Sequence, residues 1–444
     1  MLQKINQHIA ENFSFFKNKK LLIAISGGID STVLTYLLHK LNFNISLAHC
    51  NFCLRGKESD LDEKFVVSLA EKLHIPVFVK KMETEKYAKK HKLSIQEAAR
   101  NLRYDWFKKL AKKNNIDYIL TAHNLNDSLE TVLFNLTRST GLTGLTGISA
   151  INGILCRPLL PFSRKEITNF AKENNIIWRE DISNANTKYT RNKIRHKIIP
   201  VLSEINNNLL ESFKNTQQYL QDADAIIQQQ VNLVKNQISE TENNMVKFDV
   251  AKMQQLSQKS FYIYQIFKAY NFTEFKDIEQ LLIAQSGKQV FSKTHRLLKD
   301  RNFLLLIKKA ENTINTNLEF KILATDTVFR KGNLHLKIEH LDHTNNQKTD
   351  KKDEKSIIID KDLLKFPLTV RKWKNGDYFY PIGMQGKKKV SKYFKDEKLS
   401  LYQKENIWLL LSDNKIIWII NMRQDKRFKT QKNTKNSIKI SIKE

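Results

Sequence analysis

One short stretch restricts the fold more than any other: Ser26-Gly27-Gly28-Ile29-Asp30-Ser31, set between the apolar run Leu21 to Ile25 and a helical pattern from Ser31 to Leu41. Paired glycines let a backbone turn sharply and point successive N–H groups into a concavity, while the following helix adds the positive end of its dipole. Ser26 and Ser31 add hydroxyl donors. The chain carries 12 glycines in 444 residues, where about 7% is usual, so each one that remains answers a backbone need. An ordinary strand-to-helix turn would use a serine cap and would not need two glycines plus an aspartate. The stretch lacks the Gly-Lys-Ser/Thr of a Walker A loop, so no loop lysine is available for a transferable γ-phosphate. Asp30 instead suits a Mg²⁺ shared with phosphate oxygens.

Around this loop the first part of the chain alternates short apolar runs with helical patterns. Strands are expected at Leu21 to Ile25, Ile45 to His49, Ile75 to Val79 and Tyr118 to Ala122, and helices at Ser31 to Leu41, Leu61 to Leu73, Ile95 to Lys113 and Asp127 to Thr137. Such alternation predicts a doubly wound parallel α/β sheet, ending near Pro200. From Leu209 the apolar positions Phe213, Leu220, Ala223, Ile227, Val231 and Val234 keep one helical face, which predicts a long helix. Met253 to Tyr270 and Thr273 to Ala284 read as helices and Gln289 to Lys308 as a hairpin turning near Asp300 to Asn302, so a small helical domain is expected. His343 to Lys355 is polar and aperiodic. Beyond it, runs at Ile357 to Ile359, Leu368 to Lys372, Ile407 to Leu411 and Ile416 to Ile420 predict a C-terminal β-rich module. The expected divisions are 1–205 for the α/β domain, 206–310 for the long helix and helical domain, 311–355 for a connecting segment, and 356–444 for the β-rich module.

Composition excludes several classes. The N-terminus has no apolar signal region, and no run reaches the 18 or more apolar residues of a membrane span. The chain reads as cytoplasmic, without a membrane partner. Three cysteines, Cys50, Cys53 and Cys156, cannot build a disulfide framework. Lys and Arg number 75 against 46 Asp and Glu, a net charge of +29, and an acidic partner follows. Between Arg371 and Lys398 basic residues, among them Arg371, Lys387, Lys388 and Lys389, interleave with Trp373, Tyr378, Phe379, Tyr380, Tyr393 and Phe394. That mixture suits phosphate contacts plus stacking on unpaired nucleotides.

The strand-SGGxDS-helix arrangement resembles the N-type (PP-loop) ATP pyrophosphatases, whose loop holds pyrophosphate while the α-phosphate is attacked. Further blocks resemble, in order, the tRNA(Ile)-lysidine synthetases. They are His49-Cys50-Asn51-Phe52-Cys53-Leu54-Arg55-Gly56, Ser59 with Asp62-Glu63, Glu97 to Tyr104, Thr121-Ala122-His123 with Asp127 and Glu130-Thr131, Arg157-Pro158-Leu159-Leu160, Arg191 to His196, and Arg371 to Asp377 with Pro381-Ile382-Gly383. The resemblance spans most of the chain. It implies a ligase that uses ATP and Mg²⁺ to join L-lysine to C2 of the wobble cytidine, position 34, of the CAU-anticodon tRNA(Ile), through an adenylated cytidine and with release of AMP and pyrophosphate. Codon reading then changes from AUG to AUA. A homodimer is left open.

The chemistry explains the residue types. A pyrimidine carbonyl oxygen is a poor leaving group until it carries an adenylate, and charge building on the α-phosphate calls for Mg²⁺ and cationic side chains. The lysine ε-amine must lose its proton before attack, so acidic groups are needed to hold it. The resemblance assigns Ser26, Gly27, Gly28, Ile29, Asp30 and Ser31 to ATP, Asp30 also to Mg²⁺, Asp30, His123 and Asp127 to catalysis, and Glu130 with Asp127 to lysine. Spacings of four and three put His123, Asp127 and Glu130 on one face if the helix begins early enough. Arg100, on an Ala-rich helix with Arg103, and Arg191 and Arg195, in a basic segment with Lys188, Lys193 and Lys197, are candidate phosphate or tRNA contacts, as are Arg371 and Lys387 to Lys389. Gly141, Gly144 and Gly147 predict a mobile loop beside the site.

This chain departs from the family pattern at Phe52, where many members have His, at Asn124 and Asn126, and at Asn421, where many have Gly. No catalytic role is assigned to Asn124 or Asn126. Two rival readings are a PP-loop enzyme that thiolates tRNA cytidine with a cysteine-held iron–sulfur cluster, and a non-catalytic basic RNA-binding protein. The Cys-x-x-Cys lies directly after the second strand, inside the His49 to Gly56 block, and not downstream as in the thiolating enzymes. The intact Ser26 to Ser31 loop speaks against a decayed site.

Overall fold

The computed structural model describes residues 1–444 apart from 181–189, 243–244, 310–318, 333, 342–354, 432 and 444. Lys188 and nearly all of the polar segment His343 to Lys355 therefore lie outside the described residues. The chain divides into two units, Met1–Gln229 and Gln230–Glu444. Among the described residues, no helix is long and apolar enough to cross a membrane.

The first unit is built on β1 (Leu21–Ala24), β2 (Ile45–Asn51), β3 (Val77–Lys81), β4 (Tyr118–Leu120), β5 (Ile151–Asn152) and β6 (Leu155–Cys156), in the order β3-β2-β1-β4-β6-β5. Every pairing is parallel except β5 with β6, an antiparallel hairpin at the edge. Around the sheet run α1 (Leu2–Asn12), α2 (Ile29–Lys40), α3 (Lys57–Lys72), α4 (Thr84–His91), α5 (Ile95–Asn114), α6 (Leu125–Leu136), α7 (Leu142–Leu145) and α8 (Arg164–Glu173). The period of two along β1 sends Leu21 and Ile23 into one core with Val33, Leu37 and Phe170, and Leu22 into another with Phe107, Leu110 and Ile119. Each such burial contributes about 1.5 to 3 kcal/mol. Strands β2 and β3 lie to one side of β1, and β4 and β6 to the other. The crevice at the carboxyl ends of β1 and β4 is therefore a topological switch point, where open α/β sheets bind ligands.

After the sheet come α9 (Thr190–Lys193), a π-helical segment Ile194–Ile198, α10 (Ile199–Ile205) and α11 (Leu209–Ile238). Helix α11 begins at the expected residue. The stretch from Gly141 to Gly147, expected as a mobile loop, contains a short helix and is bonded to α11 at its end. Gly144 and Leu145 belong to α7, and Gln217 Nε2 donates to Ser128 Oγ (2.8 Å) and to Thr146 O (2.8 Å). Gly147 has φ +77°, and a Cβ there would meet Ser128 Oγ at 2.3 Å, so only glycine fits.

The second unit has the helices expected near residues 253–284, at Val250–Gln254, Lys259–Phe267 and Phe275–Ile283. It also sets them beside a five-stranded antiparallel sheet made by Ser239–Glu242, Met245–Asp249, Phe303–Lys308, His295–Asp300 and Gln289–Phe291. The hairpin pairs Asp300 with Phe303, turning where the sequence predicts. Two four-stranded antiparallel sheets follow. Residues 320–341, expected within a connecting segment, supply three of their strands, because Leu334, Leu336 and Ile338 alternate with polar residues and bury one face. Asn421 takes the left-handed region at φ +64°, which Asn tolerates.

Candidate active site

Helix α2 opens without the side-chain cap that several of its neighbours carry. Helices α5, α6 and α8 each begin with a full capping box, Ser94 with Glu97, Asn124 with Asp127, and Ser163 with Glu166. At α2 the cap is Gly28, and no side chain caps the helix. The serine hydroxyls instead brace the loop: Ser31 Oγ accepts from Ser26 N (3.2 Å) and donates to Gly28 O (3.0 Å), and Gly28 N donates to Ser26 Oγ (3.3 Å). Gly27 has φ +91° and an added Cβ would sit 3.3 Å from Phe65, so the turn requires glycine. The result is an uncapped helix N-terminus facing the switch-point crevice, suited to an anion.

A cavity of about 800 Å³ lies there, lined by Ser26, Gly28, Asp30, His123, Asp127 and Arg195 among others. Asp30 stands in the first turn of α2. One carboxylate oxygen is paired with Arg164 of α8, and the other accepts from Asn124 Nδ2 (3.2 Å). Burial pushes the Asp30 carboxyl above its ordinary range, against the pull of Arg164. Asn124, given no role from sequence, thus both caps α6 and orients Asp30. Asn126 accepts from Arg164 N (2.9 Å) and fixes the start of α8. The Ser163 to Glu166 capping pattern was readable in the sequence as the start of a helix bearing Arg164.

His123 leaves β4 ahead of the α6 cap, so it does not share the helix with Asp127 and Glu130. Its Nδ1 lies 3.0 Å from Thr121 Oγ1. Burial first, then the positive charges of Arg157, Arg100 and Arg103, lower its pKa to about 4, with Asp127 opposing them. The imidazole is uncharged at neutral pH. Glu130 is 6% exposed, and Arg195 reaches it with Nε (2.5 Å) and Nη2 (2.8 Å) while Nη2 also lies 3.3 Å from Asp127. Burial raises the Glu130 pKa even so. Arg195 sits in the π-helical segment, a departure from α-helix that is frequent at functional sites.

The other sequence candidates do not line the cavity. Arg100 is exposed and stacks over Tyr104 (5.0 Å), and Arg191 lies over Phe134 (5.4 Å). Arg371 requires a correction: it is 9% exposed, and its guanidinium holds Asp377 through two 2.8 Å bonds, so it braces a turn and has no free face for phosphate. Lys387 and Lys389 are exposed, Lys387 over Tyr378 (5.4 Å), whereas Lys388 pairs with Asp396 (2.8 Å). Arg179 had no sequence signal, yet it joins Asp62 (2.5 Å) and Glu58 (2.7 Å) of α3, and its N–H donates to Gly27 O (3.0 Å). Cys50 and Cys156 are pushed by burial up to about 12 and about 11, which keeps both thiols protonated.

Comparison with known proteins agrees with this layout. The sequence matches the PP-loop domain over residues 1–202, the TilS substrate binding domain over 240–309 and the TilS substrate C-terminal domain over 368–441. It is 36% identical to a tRNA(Ile)-lysidine synthase of Bacteroides thetaiotaomicron, covering 99% of each chain. It is 34% identical to that of Parabacteroides distasonis, covering 100% of each. With the enzyme of Thermosipho africanus it shares 47% identity over 46% of this chain and 49% of the relative.

Proposed function

The chain belongs to the tRNA(Ile)-lysidine synthase family, and from that premise we propose that it joins L-lysine to C2 of the wobble cytidine of a CAU-anticodon tRNA(Ile) at the expense of ATP. The Gly27-Gly28 turn and the uncapped start of α2 receive the pyrophosphate portion of ATP. Asp30 is an oxygen ligand beside that loop, as Mg²⁺ requires when it shares phosphate oxygens, and it would hold the ion by exchanging Arg164 for it. When bound, Mg²⁺ neutralises charge on the phosphates.

The cytidine O2 attacks the α-phosphorus, a P–O bond forms, the bond to pyrophosphate breaks, and an adenylate is left on C2. The lysine ε-ammonium gives a proton to the Asp127 carboxylate, the amine forms the bond to C2, and the C2–O bond breaks as AMP departs. An uncharged His123 adds no positive charge where an ammonium must bind. The observation that carries the lysine assignment is the Glu130 and Asp127 pair, which already holds a cationic side chain, Arg195, against the cavity. An ε-ammonium presents N–H donors to the same oxygens. Replacing Glu130 by Gln is expected to leave adenylation intact and raise the KM for lysine by roughly 30- to 150-fold, the equivalent of a charged hydrogen bond worth about 2 to 3 kcal/mol. An unchanged lysine KM with normal lysidine formation would remove Glu130 from this role.

A further inference from the structure

The arginines that bear on the site fall into two groups. Arg55, Arg164, Arg179 and Arg195 each hold carboxylates. Arg100, Arg103 and Arg157 have no carboxylate partner among the described residues. Arg100 lies over Tyr104 (5.0 Å) and Arg103 over Phe52 (5.1 Å). Arg157 is 7% exposed. Its Nη1 donates to Ser149 O (2.6 Å), its side chain bonds that of Tyr104, and its buried Nε has no partner.

The sheet explains how these groups meet. Strands β4 and β6 run parallel, and Thr121 N donates to Cys156 O (3.0 Å). Arg157 therefore leaves β6 beside the point where Thr121, Ala122 and His123 leave β4. Arg103, Tyr104 and Phe52 line the same cavity as His123. We propose that Arg100, Arg103 and Arg157 form a phosphate-oxyanion subsite beside His123, in which Arg100 and Arg103 meet the anion and Arg157 is the buried positioning residue behind them.

A buried guanidinium with no counter-ion is unfavourable, and a bound phosphate oxyanion offsets that cost with the bidentate geometry arginine favours. Arg157 fixes Tyr104, the ring over which Arg100 lies, so it also sets where the outer guanidinium stands. The charged groups facing His123 are Arg157, Arg100 and Arg103 on the positive side and Asp127 on the negative. A phosphate delivered to this wall reverses that balance and draws the His123 titration upward from about 4. The phosphate belongs either to ATP or to the RNA backbone beside the reacting cytidine, and in both cases the subsite rests on the function proposed above.

The test uses the full chain as wild type, Arg157→Met, Arg157→Lys and Arg100→Met. Dissociation constants are measured separately for ATP with Mg²⁺ and for a CAU-anticodon stem-loop RNA, with thermal melting as the folding control. Arg157→Met and Arg100→Met are expected to weaken ATP, RNA or both at least about fivefold, and the ligand affected identifies the source of the phosphate. Arg157→Lys is expected to recover only part of the loss, because it keeps the charge but not the guanidinium's separate bonds to Ser149 and Tyr104. In ¹⁵N-histidine spectra, with His123 assigned through a His123→Gln protein, Arg157→Met moves the His123 titration up toward 6.5; a residue that only fills space leaves it in place. If Arg157→Met does not fold, the exposed Arg100 still decides. Both ligands within twofold of wild type in Arg100→Met, and in Arg157→Met where folded, overturn the subsite. A wild-type chain that binds neither ligand overturns the subsite together with the proposed function, whereas normal wild-type binding unaffected by the variants overturns the subsite alone.

Discussion

Arginine–carboxylate pairs occur in both units, and the pairs that face the cavity of the first unit are built in the opposite way from two buried pairs of the second, which also carries a long-range pair, Arg296 with Glu405. In the first unit Arg164 reaches Asp30 across 134 residues of sequence, and Arg195 reaches Glu130 and Asp127 across 65 and 68. These guanidinium groups line a cavity, with side chains 49% and 37% exposed. In the second unit Arg371 holds Asp377 six residues away, and Arg427 holds Asp425 two residues away. Asp425 is fully buried and also accepts from Tyr380 N (2.9 Å). The same two functional groups therefore serve two purposes, decided by burial and span. A long-range pair at a cavity wall can be exchanged for a substrate cation or metal ion, whereas a local buried pair fixes a turn and costs stability when broken.

The contrast can be broken most severely at Asp30. Asp30→Asn is expected to slow ATP-dependent pyrophosphate release about 1,000-fold, roughly 4 kcal/mol of transition-state stabilisation, with an unchanged melting profile. Early melting at full activity would invert the comparison. Asp377→Ala should do the reverse, lowering unfolding free energy by about 3 kcal/mol by removing the two short bonds to buried Arg371 and leaving only Glu319, 4.0 Å away, to balance its charge. ATP affinity should not move, and denaturant titration beside ATP binding reads both.

A pH titration of stability sharpens the account of the first unit. His123 titrates near 4 when folded and near its ordinary value of 6.5 when unfolded. The unfolded chain thus binds more protons between those values, and stability falls as pH drops from about 6.5 to about 4. His123→Gln should flatten that slope by up to roughly 3 kcal/mol. His8 and His49, lowered mainly by burial, keep the remainder. The smallest expected effect lies at the exposed end of the second unit. Replacing Lys387 and Lys389 with Ala should weaken tRNA binding roughly tenfold and reduce its salt slope by about 2, while folding is unaffected. An unchanged slope would remove these lysines from the RNA surface.

What could be read from sequence follows the range of the interactions. The Ser26 to Ser31 loop was legible because phosphate cradles are local, two glycines and a helix start within a few residues. Strand alternation placed β1, β2 and β4 for the same reason. Arg164 and Arg195 could not be matched to their carboxylates, since the partners lie far apart in sequence and meet only once α8 packs beside α2 and the π-helical segment beside α6. Arg371 misled because a basic, aromatic segment looks the same whether its arginine faces solvent or an aspartate six residues on. Leu334 to Leu341 hid in a polar neighbourhood although its alternation was present.

The most direct test of the central claim is incorporation of labelled lysine into a CAU-anticodon tRNA(Ile) transcript by the wild-type chain, with and without ATP. The account predicts one lysine per tRNA, dependent on ATP with release of AMP and pyrophosphate, lost in Asp30→Asn and restored in Glu130→Gln only at high lysine concentration. Stable RNA binding with no ATP-dependent lysine incorporation would contradict it.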